Sequence, residues 1–208
     1  MANQIIGLSG SGSNIAEVDS NDNLLIVPGI NSCPLSGGYY TVAGQTSAVV
    51  AAALAANSSL VSMRFSPTST RRAYITRVRV LLTPSTLGAS AGVAGTLGLQ
   101  RFHFATPSGG TARTANRMFE GSGTTTNMTD IRDNNAALTV TNVVFGTVFS
   151  SCLVPVFISN GNCFWEWVVE PPSPLILNAG EGLALRTLVA MAATQTWMYS
   201  YTVHWYEK

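Results

Sequence analysis

Two histidines, ten arginines, one lysine and ten carboxylates are the groups with which this 208-residue chain could do acid–base, metal or anion chemistry. His103 and His204 each sit mid-way along an alternating apolar stretch, with no Cys, His or Asp at metal-ligand spacing beside them, so no metal is expected. No G-x-S-x-G elbow frames a serine, and nothing in the spacing supplies a Ser/His/Asp triad. Glu166 and Glu170 flank Trp167 like a glycosidase pair beside a sugar platform. Four residues of strand, however, separate them by roughly 13 Å, against about 5–9.5 Å for catalytic pairs. Asp130, Asp133, Asn134 and Asn135 could offer oxygens to calcium, but their spacing departs from the EF-hand loop and suits an ordinary turn. Neither catalytic residues nor a cofactor are expected.

Arg71, Arg72, Arg77 and Arg79 form the densest basic group. On a strand Arg77 and Arg79 share a face and could grip carboxylates or phosphate. A formal net charge of +1 gives no global field toward nucleic acid or an anionic membrane, so contact with a protein subunit is the favoured role. Charged residues make up only 10% of the chain, which points to a surface partly covered by other subunits. The near-exclusive use of Arg over Lys leans the same way, because Lys is depleted at interfaces. A Ser/Thr/Asn/Gly surface that stays solvated without charges is the competing explanation.

The elements that must position these groups are strands. Residues 174–206 read as strand, turn, strand, loop, strand, punctuated by Asn178-Ala179-Gly180-Glu181-Gly182. In the last of them Trp197, Tyr199, Tyr201, Val203 and Trp205 share one face, and Met198, Thr202, His204 and Tyr206 the other. Residues 71–82 alternate, placing Tyr74, Thr76, Val78 and Val80 opposite Ala73, Ile75, Arg77, Arg79 and Leu81, and ending at Pro84. Residues 60–65, 97–105, 138–141, 143–149, 152–158 and 163–169 read as further strands, with Asn160-Gly161 as a hairpin signal. Residues 106–135 read as a long irregular excursion. Ser47–Ala56 is the single helix candidate, capped by Ser47 and ended by Asn57. The whole is expected to be all-β: an antiparallel β-sandwich, with a jelly roll among its permitted forms, and at most one short helix.

Residues 1–36 read as an extended N-terminal arm and residues 37–208 as the sandwich body. The arm is Gly/Ser-rich and holds one strand candidate, Leu24-Leu25-Ile26-Val27, which could add to a partner's sheet edge. No secretory signal and no run of about 18 apolar residues is read in the chain. Cys33, Cys152 and Cys163 are read as thiols, with a Cys152–Cys163 pairing left open.

The stretch Ala16-Glu17-Val18-Asp19-Ser20-Asn21-Asp22-Asn23-Leu24-Leu25-Ile26-Val27 resembles the opening of structural proteins in tailed-bacteriophage virions. Tyr40-Thr41-Val42-Ala43-Gly44-Gln45-Thr46, Ser62-Met63-Arg64-Phe65-Ser66-Pro67 and Arg72-Ala73-Tyr74-Ile75 are similar to such proteins too. The resemblance implies a virion component. A capsid decoration (cement) protein is favoured, bound to the major capsid protein or other virion subunits as a homo-oligomer at the capsid surface. It supplies no catalytic residue. The alternative is a neck or tail protein that holds host glycan through Trp165, Trp167 and residues 106–135. A hydrolase relying on His103 or His204 is the third reading.

Overall fold

Alternation is the local rule that builds this molecule, and the C-terminal strand shows it without interruption. In β15 (Thr196–Glu207), Trp197, Tyr199, Tyr201, Val203, Trp205 and Glu207 are buried while the residues between them are half-exposed. Aromatic and β-branched side chains on a period of two suit a sheet with one face against a core. The computed structural model describes residues 6–7, 14–15, 38–47, 49–50, 55–86, 95–103, 106–118, 125–140, 144–154, 163–168, 175–190 and 196–208. The chain divides into two units, Met1–Cys33 and Pro34–Lys208. In the first, β1 (Ile6–Gly7) pairs antiparallel with β2 (Asn14–Ile15). Leu24, Leu25, Ile26 and Val27 lie outside the described residues.

The second unit is two antiparallel sheets. One contains β3 (Tyr39–Gln45), β6 (Ala73–Thr86), β12 (Cys163–Val168) and β15, in the order β12-β6-β15-β3. The other contains β5 (Ser59–Phe65), β7 (Gly95–His103), β11 (Val144–Val154) and β14 (Glu181–Val189), in the order β11-β7-β14-β5. The pairs nest: β3 with β15, β5 with β14, β6 with β12 and β7 with β11. Successive strands cross between the sheets except at the innermost pair. That nesting is a jelly roll, an antiparallel ribbon folded over on itself.

The segment joining β7 to β11 adds strands on one side. β8 (Ser108–Ala112) and β10 (Met128–Thr139) extend the second sheet beyond β5, and β9 (Asn116–Arg117) extends the first beyond β3. Residues 106–135 were expected to be irregular. Their Thr, Asn and Gly content hides β10, which finds its pairing on β5 with a register shift between Thr129 and Arg132. β4 (Val49–Val50) pairs with β15 and β13 (Leu175–Leu177) with β6.

Two further expectations are corrected. The candidate helix over Ser47–Ala56 contains β4 instead, and no helix occurs among the described residues. Val49 and Val50 pair in register with Trp197 and Thr196, and Asn57 turns the chain at φ 64°, a conformation Asn tolerates. The faces of β6 also switch part-way. His204 lies opposite Arg77 but Trp205 lies opposite Ile75, so a bulge takes up one extra residue at Thr76–Arg77. Ala73, Ile75, Val78, Val80 and Leu82 all face the core, and Tyr74, Thr76, Arg77, Arg79 and Leu81 face out. A second shift lets Pro84 stand within β6 opposite Trp197, where its missing N–H is tolerated.

Between the sheets the core is close-packed. Leu60, Met63, Phe65, Ile75, Leu82, Leu97, Leu99, Tyr40, Tyr199 and Trp205 are fully buried. The void lined by Val61, Met63, Val78, Leu99, Leu183, Leu185, Tyr201 and Val203 measures about 10 Å³, and it is apolar. An apolar void of that size stays dry.

Candidate interaction surface

The outer face of the first sheet carries Arg77, Arg79, Glu166 and His204. Arg77 and Arg79 alternate onto that face as near neighbours, and both donate from Nε to Oε1 of Glu166 on β12. Hydrogen bonds from Arg77 and Arg79 hold the Glu166 carboxyl below the usual carboxylate range. Glu166 is therefore engaged as an ion-pair partner, and Glu170 lies outside the described residues.

His204 faces out opposite Thr41 on one side and Arg77 on the other. Burial, followed by the charges of Arg77 and Arg79, pushes its imidazole below the ordinary value of 6.5. A histidine whose folded pKa lies below the unfolded one is neutral in the native state and costs stability once acid charges it. Stability should therefore fall as pH drops from 6.5 through the lowered native value. In His204→Gln, which cannot titrate, the thermal midpoint should fall less over that interval. Nuclear magnetic resonance titration checks the shift directly, and a native pKa above 6.5 would contradict it.

One row further along, three tyrosines stack across three strands. Tyr206 lies 4.7 Å from Tyr74 and 5.8 Å from Tyr39, ring centroid to centroid. Burial, then the neighbouring Tyr74 and Tyr39, raises the Tyr206 phenol. At the sheet's β12 edge Phe164 and Val168 are 59% and 50% exposed, the highest values among the described large apolar residues. Trp165 and Trp167 sit on the opposite side of β12 and pack against the core. Both are half-buried, so only part of each ring is open to a ligand.

Arg71 and Arg72 belong elsewhere. The Arg72 backbone pairs with that of Lys208 at one end of the sandwich. Arg71 borders an open recess of about 360 Å³ with Thr68, Ser69, Thr70, Thr125 and Asn127. The four arginines thus form two separate groups.

Several polar sites were not visible in the sequence. Asp133, fully buried, accepts from Arg113 Nε at 2.6 Å and from the Tyr201 hydroxyl at 3.1 Å. Tyr199 donates to the Leu60 carbonyl at 2.5 Å and contacts Asn134 Oδ1. Burial raises both phenols, with the Asp133 charge adding to the effect at Tyr201. The hydrogen bond to Asp133 raises the Arg113 guanidinium. DIRDNN therefore holds an internal latch, with Asp133 and Asn134 turned inward.

Glu207, also fully buried, accepts from Trp205 Nε1 at 3.2 Å, Thr126 Oγ1 at 2.5 Å and the Asn127 amide at 2.9 Å. Glu181 accepts from the Asn178 amide at 2.8 Å and lies 3.4 Å from His103 Nε2, so His103 also has an assigned neighbour. Among the described residues no three His, Cys, Asp or Glu side chains gather as a metal site. The side chains of Cys152 and Cys163 lie outside the described residues.

The second sheet has a cationic outer face of its own. Register puts Arg132 opposite Ser62, Arg64 two residues along β5, and Arg186 two residues beyond the Ala184 that also faces Ser62. They donate to neutral acceptors: Arg64 to Thr106 Oγ1, Arg132 to the Gly109 carbonyl, and Arg186 to Gln100 Oε1 and the Asn57 carbonyl. These arginines come from three distant strands, so only the pairing reveals them as a group. Comparison of the chain with family models, curated proteins and solved structures gives no match.

Proposed function

We propose that this chain is a structural subunit of a bacteriophage virion, a decoration protein that stabilises the head by bridging subunits and catalyses no reaction. The observation that carries the reading is how the sandwich uses its side chains. The void between the sheets lined by Val61, Leu99 and Val203 is only about 10 Å³, and Glu166, Asp133, Glu181 and Glu207 are all engaged by neighbours within the chain. What this body offers a partner is its broad outer faces. Large faces, few lysines and exposed aromatic and aliphatic groups beside arginine match the anatomy of protein interfaces. The jelly roll is a fold of capsid proteins, although lectins and cupins use it as well. The residue patterns at 16–27 and 40–75 favour the first of these.

Antibody labelling of intact particles, with copy number from quantitative mass spectrometry, tests the reading. Hundreds of copies on the head are expected. A chain that never co-purifies with particles overturns the proposal, and a dozen copies moves it to the neck or tail. Removing residues 1–36 should leave the body folded, with an unchanged unfolding midpoint, while abolishing binding to particles that lack the protein. Unchanged affinity of the truncated chain would remove the arm from the mechanism.

The recess beside Arg71 favours one second reading. Three threonines, a serine, an asparagine and an arginine around about 360 Å³ suit a hydroxyl-rich or acidic sugar. A tail-associated, glycan-binding role would show as binding to host surface polysaccharide that Arg71→Ala weakens.

A further inference from the structure

We infer that β12 is the edge through which two copies of this chain join, antiparallel, about a twofold axis at Glu166. The inference does not depend on the virion reading, because it concerns the purified chain alone. Among the described residues β12 ends its sheet and pairs only with β6. An edge strand presents a row of backbone donors and acceptors to any strand that can reach it. Edges are normally blunted by Lys, Pro, a bulge or a cover. The sequence of β12, Cys163-Phe164-Trp165-Glu166-Trp167-Val168, contains neither Lys nor Pro, and its register on β6 runs without a shift.

The spacing of its outward residues identifies the occupant. Phe164, Glu166 and Val168 point to the solvent side, and the two exposed apolar groups stand symmetrically two positions either side of the acid. In an antiparallel pair, directly opposed residues share a face and lie about 4.5–5.5 Å apart. Pairing β12 with its own copy, Glu166 opposite Glu166, therefore sets Phe164 against the second copy's Val168, and Val168 against its Phe164. Both exposed apolar groups of each copy are covered in one step. The remaining contact, carboxylate beside carboxylate, would oppose dimerisation if it stood alone. Each Glu166 already sits between Arg77 and Arg79, so the centre would hold two carboxylates among four guanidiniums. Shifting the register by two would oppose Phe164 to Glu166 and leave Val168 uncovered. The charge pattern and the apolar pattern select the same register, and an isologous pairing of this kind closes at two copies.

The test is a charge swap across the predicted contact. Sedimentation equilibrium of the full chain, in reducing buffer so that Cys163 cannot link copies covalently, should show a reversible dimer at micromolar concentration. Phe164→Glu and Val168→Lys each place a charge against an apolar group and should weaken the dimer by more than about tenfold. Both positions are exposed, so circular dichroism and the thermal midpoint of the monomer should stay unchanged. Mixing the two variants pairs Glu at 164 with Lys at 168 on one side of the axis and native Phe with native Val on the other. The mixture should recover a dimer that neither variant forms alone. A monomeric wild type, a trimer, or variants that associate as the wild type does would each overturn the inference. Failure of the mixture to recover would overturn the register about Glu166.

Discussion

Replacing Trp205 with alanine should destabilise the sandwich by about 3–5 kcal/mol, the range for removing a large aromatic from a well-packed core. Trp205 is fully buried in the central strand of its sheet and stacks on Tyr40 with ring centroids 5.7 Å apart. Its loss also removes the Nε1 donor from Glu207, a buried carboxylate that fastens residues 126 and 127. Cavity and polar losses add here, so the effect should exceed that of an aliphatic truncation such as Val203→Ala. Urea unfolding checks it: the midpoint should fall with an unchanged slope. Trp205→Phe keeps the stacking and most of the volume, and should recover more than half of the loss. A midpoint for Trp205→Ala within experimental error of wild type would mean that this ring does not organise the core.

The second large effect is expected at Asp133. Its carboxylate, fully buried in β10, ties Arg113 from the β8–β9 connection to Tyr201 in the first sheet. Arg113 in turn donates to the Gln45 carbonyl at 2.9 Å. Breaking a buried ion pair from one side costs about 3–5 kcal/mol. The Arg113 side chain is 26% exposed and can regain water, so Asp133→Ala should cost about 3 kcal/mol. Tyr201→Phe should cost about 1 kcal/mol, because it removes one hydrogen bond and leaves the ion pair standing. A double-mutant cycle between Asp133 and Arg113 should show strong coupling, whereas additive losses would contradict the latch. Hydrogen exchange should reveal where the damage falls, with faster exchange in β8 and β10 and little change in β6.

How legible these features were depends on whether they are local. The faces of β15 follow from one strand's alternation, and the structure places Trp197, Tyr199, Tyr201, Val203 and Trp205 inward as the pattern requires. The all-β sandwich follows from many short strands between turn signals. The bulge at Thr76–Arg77 has no such mark, because one extra residue is defined only against the partner strand. That single residue moves Tyr74 and Thr76 to the side of Arg77 and Arg79 and builds the face that Glu166 completes. The buried latch was hidden for the same reason. DIRDNN has the composition of a solvated turn, and nothing near it in the chain announces Arg113 and Tyr201 as partners. At Ser47–Ala56, helix propensity competes with a pairing to Trp197 that lies some 150 residues away, and at Val49–Val50 the pairing prevails.

The nesting of the strands also sets a condition on how the molecule is made. β15, in the interior of the first sheet, is the last of the described strands and lies between β3 and β6. Until β15 has left the ribosome, β3 and β6 have no strand between them, and each exposes an edge that only the twelve residues of β15 fill. The sheet therefore closes only once β15 has been made, through some of the longest-range contacts among the described residues, a circumstance that slows folding and favours a holding chaperone. A chain terminated before Thr196 loses the middle of its sheet, so it should yield aggregate in place of a shortened subunit.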